Sequence, residues 1–244
     1  MIDTQTSYAL PLAFHVVDGD LQKKMAAHLA AAIKTPMAGY PAYSLLTGFI
    51  GTAWISKALS DNGMSEEAYR LLQYEGYPSW LYPVKNGATT IWERLNSYTV
   101  KDGFGENNSM NSFNHYSFGA VASWMYNYSL GICRDEKSPG FKHFILKPEV
   151  DPTRGITHAE GYYDSMYGRI RSRWQYTDSG IRYEFTVPAN TTASLYLPAP
   201  AVSFISENGK PLKKASGVRY VSADKELHHL ELASGSYQFD IKQK

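Results

Sequence analysis

Hydrophobic spacing changes once along this 244-residue chain, at residue 134. Before it, apolar residues recur at helical intervals. After it, they alternate. Few features constrain a fold more, because a 3.6-residue period and a 2-residue period cannot serve the same element. The change predicts an α + β multidomain protein, with a helical portion over residues 1–133 and a β portion over 134–244.

In the first portion, residues 4–17 read as a helix behind an Asp/Thr capping region, with Pro11 as an obstacle inside it. Residues 19–34 form an amphipathic helix with Leu21, Met25, Leu29 and Ile33 at helical spacing, and His28 on it reads as solvated or helix-packing. Residues 35–43, with Pro36, Gly39 and Pro41, read as a loop. The next helix fills the second half of 44–63 and stops at Asn62-Gly63. Gly48 and Gly51 lie ahead of or within it and permit close helix packing. Ser65 is placed to cap a short helix over 66–74, with acids in its first turn. Residues 113–131 wind as a long buried helix that Gly131 ends. Helices of alternating direction joined by loops pack naturally as a ring of antiparallel pairs.

Residues 134–140 read as a polar linker. Strands follow at 141–148, 159–163, 170–176, 181–187, 192–197, 218–222, 227–232 and 237–241, punctuated by Gly, Asn-Gly and Pro. That spacing predicts an antiparallel β-sandwich. Asp164 and Arg169 flank a Ser-Met-Tyr-Gly turn, which accounts for them.

Residues 87–116 concentrate the chemistry. Glu93 stands between Trp92 and Arg94, a Gly/Asn-rich loop over 102–109 follows, and Phe113-Asn-His-Tyr116 supplies His115. Indoles stack on the apolar face of a pyranose, and a carboxylate accepts sugar hydroxyls or activates water. A carboxyl packed against an indole is also harder to ionise. The same residues read equally as a local ion pair around a core tryptophan. Trp80, in Tyr77-Pro-Ser-Trp80, reads as a sugar platform or as a core anchor.

Composition narrows the partners. Net charge is +1 with no basic stripe, so nucleic acid is not expected. No apolar run is long enough to span a bilayer, and the N-terminus lacks a signal-peptide pattern. One cysteine, Cys133, rules out an intrachain disulfide and leaves the compartment open between periplasm, exterior and cytoplasm. No Cys/His metal spacing occurs, and no cofactor is expected.

Gly87-Ala-Thr-Thr-Ile-Trp-Glu-Arg94 followed by Ser112-Phe-Asn-His-Tyr-Ser-Phe-Gly-Ala120 resembles the end of the catalytic domain of glycoside hydrolase family 78, the α-L-rhamnosidases. Asp3-Thr-Gln-Thr-Ser-Tyr-Ala-Leu10, Thr47-Gly-Phe-Ile-Gly-Thr52, Tyr77-Pro-Ser-Trp80 and Tyr163-Asp-Ser-Met-Tyr-Gly-Arg169 are similar to other family runs. The resemblance implies the last third to half of an (α/α)6 barrel of the six-hairpin glycosidase type, followed by the family's C-terminal sandwich. It implies Glu93 as general base of an inverting hydrolysis and His115 lining the rhamnose pocket; Trp92, Trp80 and Arg94 are the further candidate substrate-binding residues on their chemistry. The family's general acid lies in a segment upstream of the Asp-Thr-Gln-Thr helix. The chain starts just beyond that place and reads as though cut there, so the expectation is a fragment holding the base without its acid. Glu106 and Asp102 receive no catalytic role from the resemblance. The expected partners are a rhamnose-containing carbohydrate and the missing N-terminal portion of the enzyme. The alternatives are a non-catalytic carbohydrate-binding protein and a purely structural one.

Overall fold

The computed structural model describes residues 3–105 and 109–242. The chain forms two compact units, Met1–Trp124 with Asp151–Gly155, and Met125–Val150 with Ile156–Lys244.

The first unit contains α1 (Gln5–Ala13), α2 (Gly19–Lys34), α3 (Gly48–Asp61), α4 (Ser65–Gln73) and the short α5 (Leu81–Lys85). Thr4 and Ser7 cap α1 reciprocally through side chain and backbone. Pro11 lies inside α1, which runs on to Ala13 but ends short of residue 17, with His15 at φ +53°. α1 packs on both α2 and α3. The α1–α3 approach is so close that a Cβ added at Gly51 would lie 2.3 Å from Thr6 Oγ1. α2 keeps its expected bounds and buries Met25, Ala26, Leu29, Ala32 and Ile33, whereas Leu21 stays exposed. His28 is solvated and stacks on Tyr8 with ring centroids 5.6 Å apart. α3 stops where Gly63 adopts φ +74°, as Asn62-Gly63 predicts. Ser65 is not a cap: Met64 holds that position, and the Ser65 hydroxyl pairs with Ser60 Oγ at 2.8 Å. Leu12, Leu29, Ile33, Ile55, Leu59, Tyr69 and Leu71 form the core. The returning segment 151–155 is tied to the end of α4 by Gln73 Nε2 donating to Asp151 Oδ2 at 2.8 Å.

The expected long buried helix over 113–131 does not form. A 3-10 turn (Ser117–Ala120) leads into α6 (Val121–Trp124) and then a π-helical turn (Met125–Ser129). In the π turn the Leu130 amide donates to Met125 O, five residues back, which rotates the helical face out of register. Met125 and Tyr126, in the π turn, are exposed, and so is Tyr116 ahead of the 3-10 turn.

The second unit is a sandwich of two sheets. One has the order β1 (Ile132–Arg134), β2 (His143–Leu146), β6 (Thr192–Pro198), β10 (Leu227–Leu232) and β9 (Val218–Asp224). The other has the order β3 (His158–Ser165), β4 (Gly168–Thr177), β5 (Gly180–Val187), β11 (Gly235–Lys242), β7 (Ile205–Glu207) and β8 (Lys210–Pro211). Pairing is antiparallel throughout except between β2 and β6. Alternate residues of each sheet turn inward, among them Phe144, Trp174, Tyr183, Leu195, Leu230 and Phe239. Trp174 Nε1 donates to Ser129 O at 2.8 Å, which satisfies the one polar atom of that buried indole. Residues 134–140, expected as a linker, mainly connect β1 to its antiparallel partner β2. The expected 141–148 strand is reduced to β2, because Phe141 takes φ +66°. Asp164 and Arg169 face each other across the β3–β4 hairpin and form an ion pair at 2.7 Å, as a turn requires.

Candidate active site

Two segments of the first unit are strapped together. The Glu93 amide donates to Ser112 O at 2.9 Å, and the Ser112 amide donates back to Glu93 Oε2 at 2.9 Å. The His115 amide donates to Ile91 O at 2.8 Å, and the Thr90 hydroxyl donates to Phe113 O. The Trp-Glu-Arg and Asn-His-Tyr runs are therefore neighbours in space although the 102–109 loop separates them. The Ser112 amide engages Oε2 of the carboxylate.

Trp92 is 6% exposed and packs edge-on to Phe113 and Tyr98 at 5.1 and 6.4 Å. Glu93, next in sequence, reaches a cavity of about 360 Å³. Tyr40, Leu46, Phe49, Tyr77, Arg94 and Asn96 are among its other walls. Among the described residues lining it, Glu93 is the one carboxylic acid. Burial pushes the Tyr77 phenol up from its ordinary range, with Tyr40 and Tyr82 adding to the effect and Arg94 opposing it, so Tyr77 keeps its proton as a donor at neutral pH.

The other expected residues divide by place. Arg94 lines the cavity and its guanidinium reaches Asn111 Oδ1 at 3.4 Å. His115 packs against Phe49, with ring centroids 4.9 Å apart, and Phe49 lines the same cavity. His115 Nδ1 accepts the Ser117 amide at 3.3 Å, which assigns the proton of the neutral ring to Nε2. Trp80 is 8% exposed and its Nε1 donates to Phe118 O at 2.8 Å, so it stands in the interior behind the cavity wall. Asp102 is exposed and bonded to Thr99, and Glu106 lies outside the described residues.

Sequence reasoning missed the residue that holds another wall of the cavity. Gln5, read only within a capping and family-like run, is 1% exposed. Its Nε2 donates to Ser44 O at 2.9 Å and its Oε1 accepts the Leu46 amide at 2.8 Å. Thr6 Oγ1 donates to Thr47 O at 2.7 Å. Together they fix the 44–48 segment, whose Leu45, Leu46 and Gly48 line the cavity. Nothing local marks Gln5 for this role, since its partners lie about forty positions away. Phe49 and Tyr77 stood in family-like runs without being given a role, and Asn96 was not singled out.

Among the described residues, no group of three or more His, Cys, Asp or Glu is placed to hold a metal ion, and no helix is long and apolar enough to cross a membrane.

A helical unit that presents a carboxylate to an aromatic-walled cavity, followed by a sandwich, has the architecture of a glycosidase. Residues 1–129 match the bacterial α-L-rhamnosidase 6 hairpin glycosidase domain, and residues 131–211 match the bacterial α-L-rhamnosidase C-terminal domain. Three curated relatives named α-L-rhamnosidase each align with 98% of the chain. They come from Streptomyces avermitilis (34% identity), an Alteromonas species (34%) and Formosa agariphila (33%). The chain covers only 22, 24 and 25% of their respective lengths. The solved S. avermitilis α-L-rhamnosidase, complexed with L-rhamnose, superposes with a TM-score of 0.85 at 34% identity, over 98% of this chain and 22% of its own. The enzyme from Dictyoglumus thermophilum superposes at 0.81 with 27% identity, over 98% of this chain and 25% of its own. The chain belongs to the bacterial α-L-rhamnosidase family.

Proposed function

We propose that this chain supplies the general-base half of an inverting α-L-rhamnosidase, with Glu93 as the base. The observation that carries the reading is Glu93 itself: a carboxylate at a cavity, held through one oxygen by the Ser112 amide. In an inverting hydrolysis the base takes a proton from water as that water attacks the anomeric carbon. An acid on the opposite face protonates the leaving oxygen, and the two carboxyl groups stand about 6.5–9.5 Å apart. Oε1 of Glu93 is the oxygen for the water. Arg94, Asn96 and the His115 Nε2–H are the donors for sugar hydroxyls, while Phe49 and Leu46 offer apolar surface to the ring and its substituent. Trp92 and Trp80 support the walls from within.

With Glu93 the one acid among the described lining residues, the proton donor comes from the part of the relatives that this chain does not span. In this reading, the helical unit belongs to the catalytic barrel and the sandwich unit is its companion. The substrate is a glycoside with a terminal α-L-rhamnose, and the 244-residue polypeptide by itself turns over little or nothing. A chromogenic α-L-rhamnoside incubated with the chain, beside Glu93→Gln, tests this. Clear turnover that Glu93→Gln abolishes would overturn the half-site reading and keep the base. Turnover equal in both would overturn the base as well.

The single acid also favours a second reading, saccharide binding without hydrolysis. Rhamnose binding by the chain that Glu93→Gln leaves intact, with no turnover after a complete barrel is restored, would favour it.

A further inference from the structure

The outward face of the six-stranded sheet carries a polar grid that no part of the Glu93 site uses. Strand register aligns Glu160, Arg173, Glu184 and Gln238 across β3, β4, β5 and β11. Two residues along, the same strands align Tyr162, Arg171, Thr186 and Ser236. Period-2 alternation turns both rows to the same face. Arg171 Nη2 donates to Glu160 Oε1 at 2.5 Å, and Arg173 Nη1 donates to Glu184 Oε2 at 3.3 Å. All of these residues but Tyr162, together with Asn208, border a cavity of about 300 Å³. That is at the small end of ligand pockets, which run from about 300 to 1,000 Å³.

The donor and acceptor inventory selects the ligand class. Guanidinium groups only donate and carboxylates only accept. A hydroxyl does both at once. Here two of each alternate, and their charges cancel. An anion would have to sit beside Glu160 and Glu184, and a cation beside Arg171 and Arg173, so either meets like charge. A neutral polyol meets neither. The network also has spare capacity. The Arg173 Nε–H is enclosed and makes no hydrogen bond among the described residues, with Glu160 Oε2 3.8 Å away, because Glu160 is shared with Arg171. A hydroxyl that took over one Glu160 oxygen would let this shared carboxylate and the guanidinium re-pair.

We propose that this sheet face is a binding site for a neutral saccharide, one or two rings long, held by Arg171, Arg173, Glu160, Glu184, Asn208 and Gln238. The inference does not rest on the role of Glu93.

The test is an amide and arginine Nε–H NMR titration of the full chain with neutral mono- and disaccharides, L-rhamnose included, beside sodium sulfate and galacturonate. Saturable shifts are expected in the millimolar range at Arg171, Arg173, Asn208 and Gln238. Arg173→Met should weaken them about tenfold or more, the loss of one charged hydrogen-bond partner. Ser236→Trp fills the cavity from an exposed strand position, leaves the ion network intact, and should do the same. Absence of saturable shifts would overturn the site. So would shifts that persist in Ser236→Trp, or that fall only on residues 40–118. Sulfate or galacturonate binding as well as neutral sugars would overturn the ligand class.

Discussion

Glu93 and Ser112 bond to each other twice, amide to carbonyl and amide to carboxylate, both at 2.9 Å. This pairing sets the direction of the carboxylate, and it separates two kinds of substitution. Glu93→Gln keeps an oxygen acceptor for the Ser112 amide. Its stability should stay within about 0.5 kcal/mol of the wild type in chemical denaturation. Glu93→Ala leaves that amide to water at an exposed position and should cost about 1 kcal/mol. A larger loss for Gln than for Ala would mean that the bond does not hold the side chain as described.

Gln5 bonds two backbone groups of a segment that lines the same cavity, the buried Ser44 carbonyl and the half-buried Leu46 amide. Gln5→Ala leaves the Ser44 carbonyl and the Leu46 amide without it, at about 1–3 kcal/mol for each group that water cannot reach. Denaturation monitored through the helical unit should register this, and hydrogen exchange at Leu46 should rise. Unchanged exchange at Leu46 would show the segment to be held by other contacts.

The close α1–α3 approach gives a sharper test of packing. Gly51→Ala puts a methyl 2.3 Å from Thr6 Oγ1 and 2.9 Å from Thr47 Cβ. The helices must separate or Thr6 must turn, for about 1–3 kcal/mol. Thr6→Ala combined with Gly51→Ala should recover part of that loss. If the two losses simply add, the two positions do not meet.

Burial raises the phenols of Tyr77, Tyr196 and Tyr237. A folded-state value above the unfolded value, about 10 for tyrosine, means the folded chain holds these protons more tightly. Their contribution to stability is complete below about pH 10 and is lost as pH rises through the raised values. Phenolate ultraviolet absorbance should show a late-ionising component from Tyr77, Tyr196 and Tyr237. Smooth titration of all tyrosines together in a folded protein would contradict this.

The sequence was most legible where local signals and tertiary demand agree. The α2 stripe, the Asn62-Gly63 stop and the alternation of β4 and β5 are of that kind. β1, β7 and β8 were not, because strands of two or three residues carry no alternation to read. The π turn after Trp124 follows an apolar run that spells an ordinary helix, and its extra residue per turn has no side-chain signature. Glu93 and His115 were singled out through their motifs. For Trp80 and Trp92 the sequence offered a core reading beside a sugar-facing one, and the structure takes the core reading, with the two indoles meeting Phe118 O and Phe113. Gln5 was invisible because its partners lie about forty positions away.

The most direct measurement replaces the matching C-terminal quarter of a complete relative with this chain and follows hydrolysis of a chromogenic α-L-rhamnoside. The account predicts an active hybrid in which Glu93→Gln lowers kcat by about 10²–10⁴-fold while L-rhamnose still binds. A folded, active hybrid whose kcat is unaffected by Glu93→Gln would contradict it.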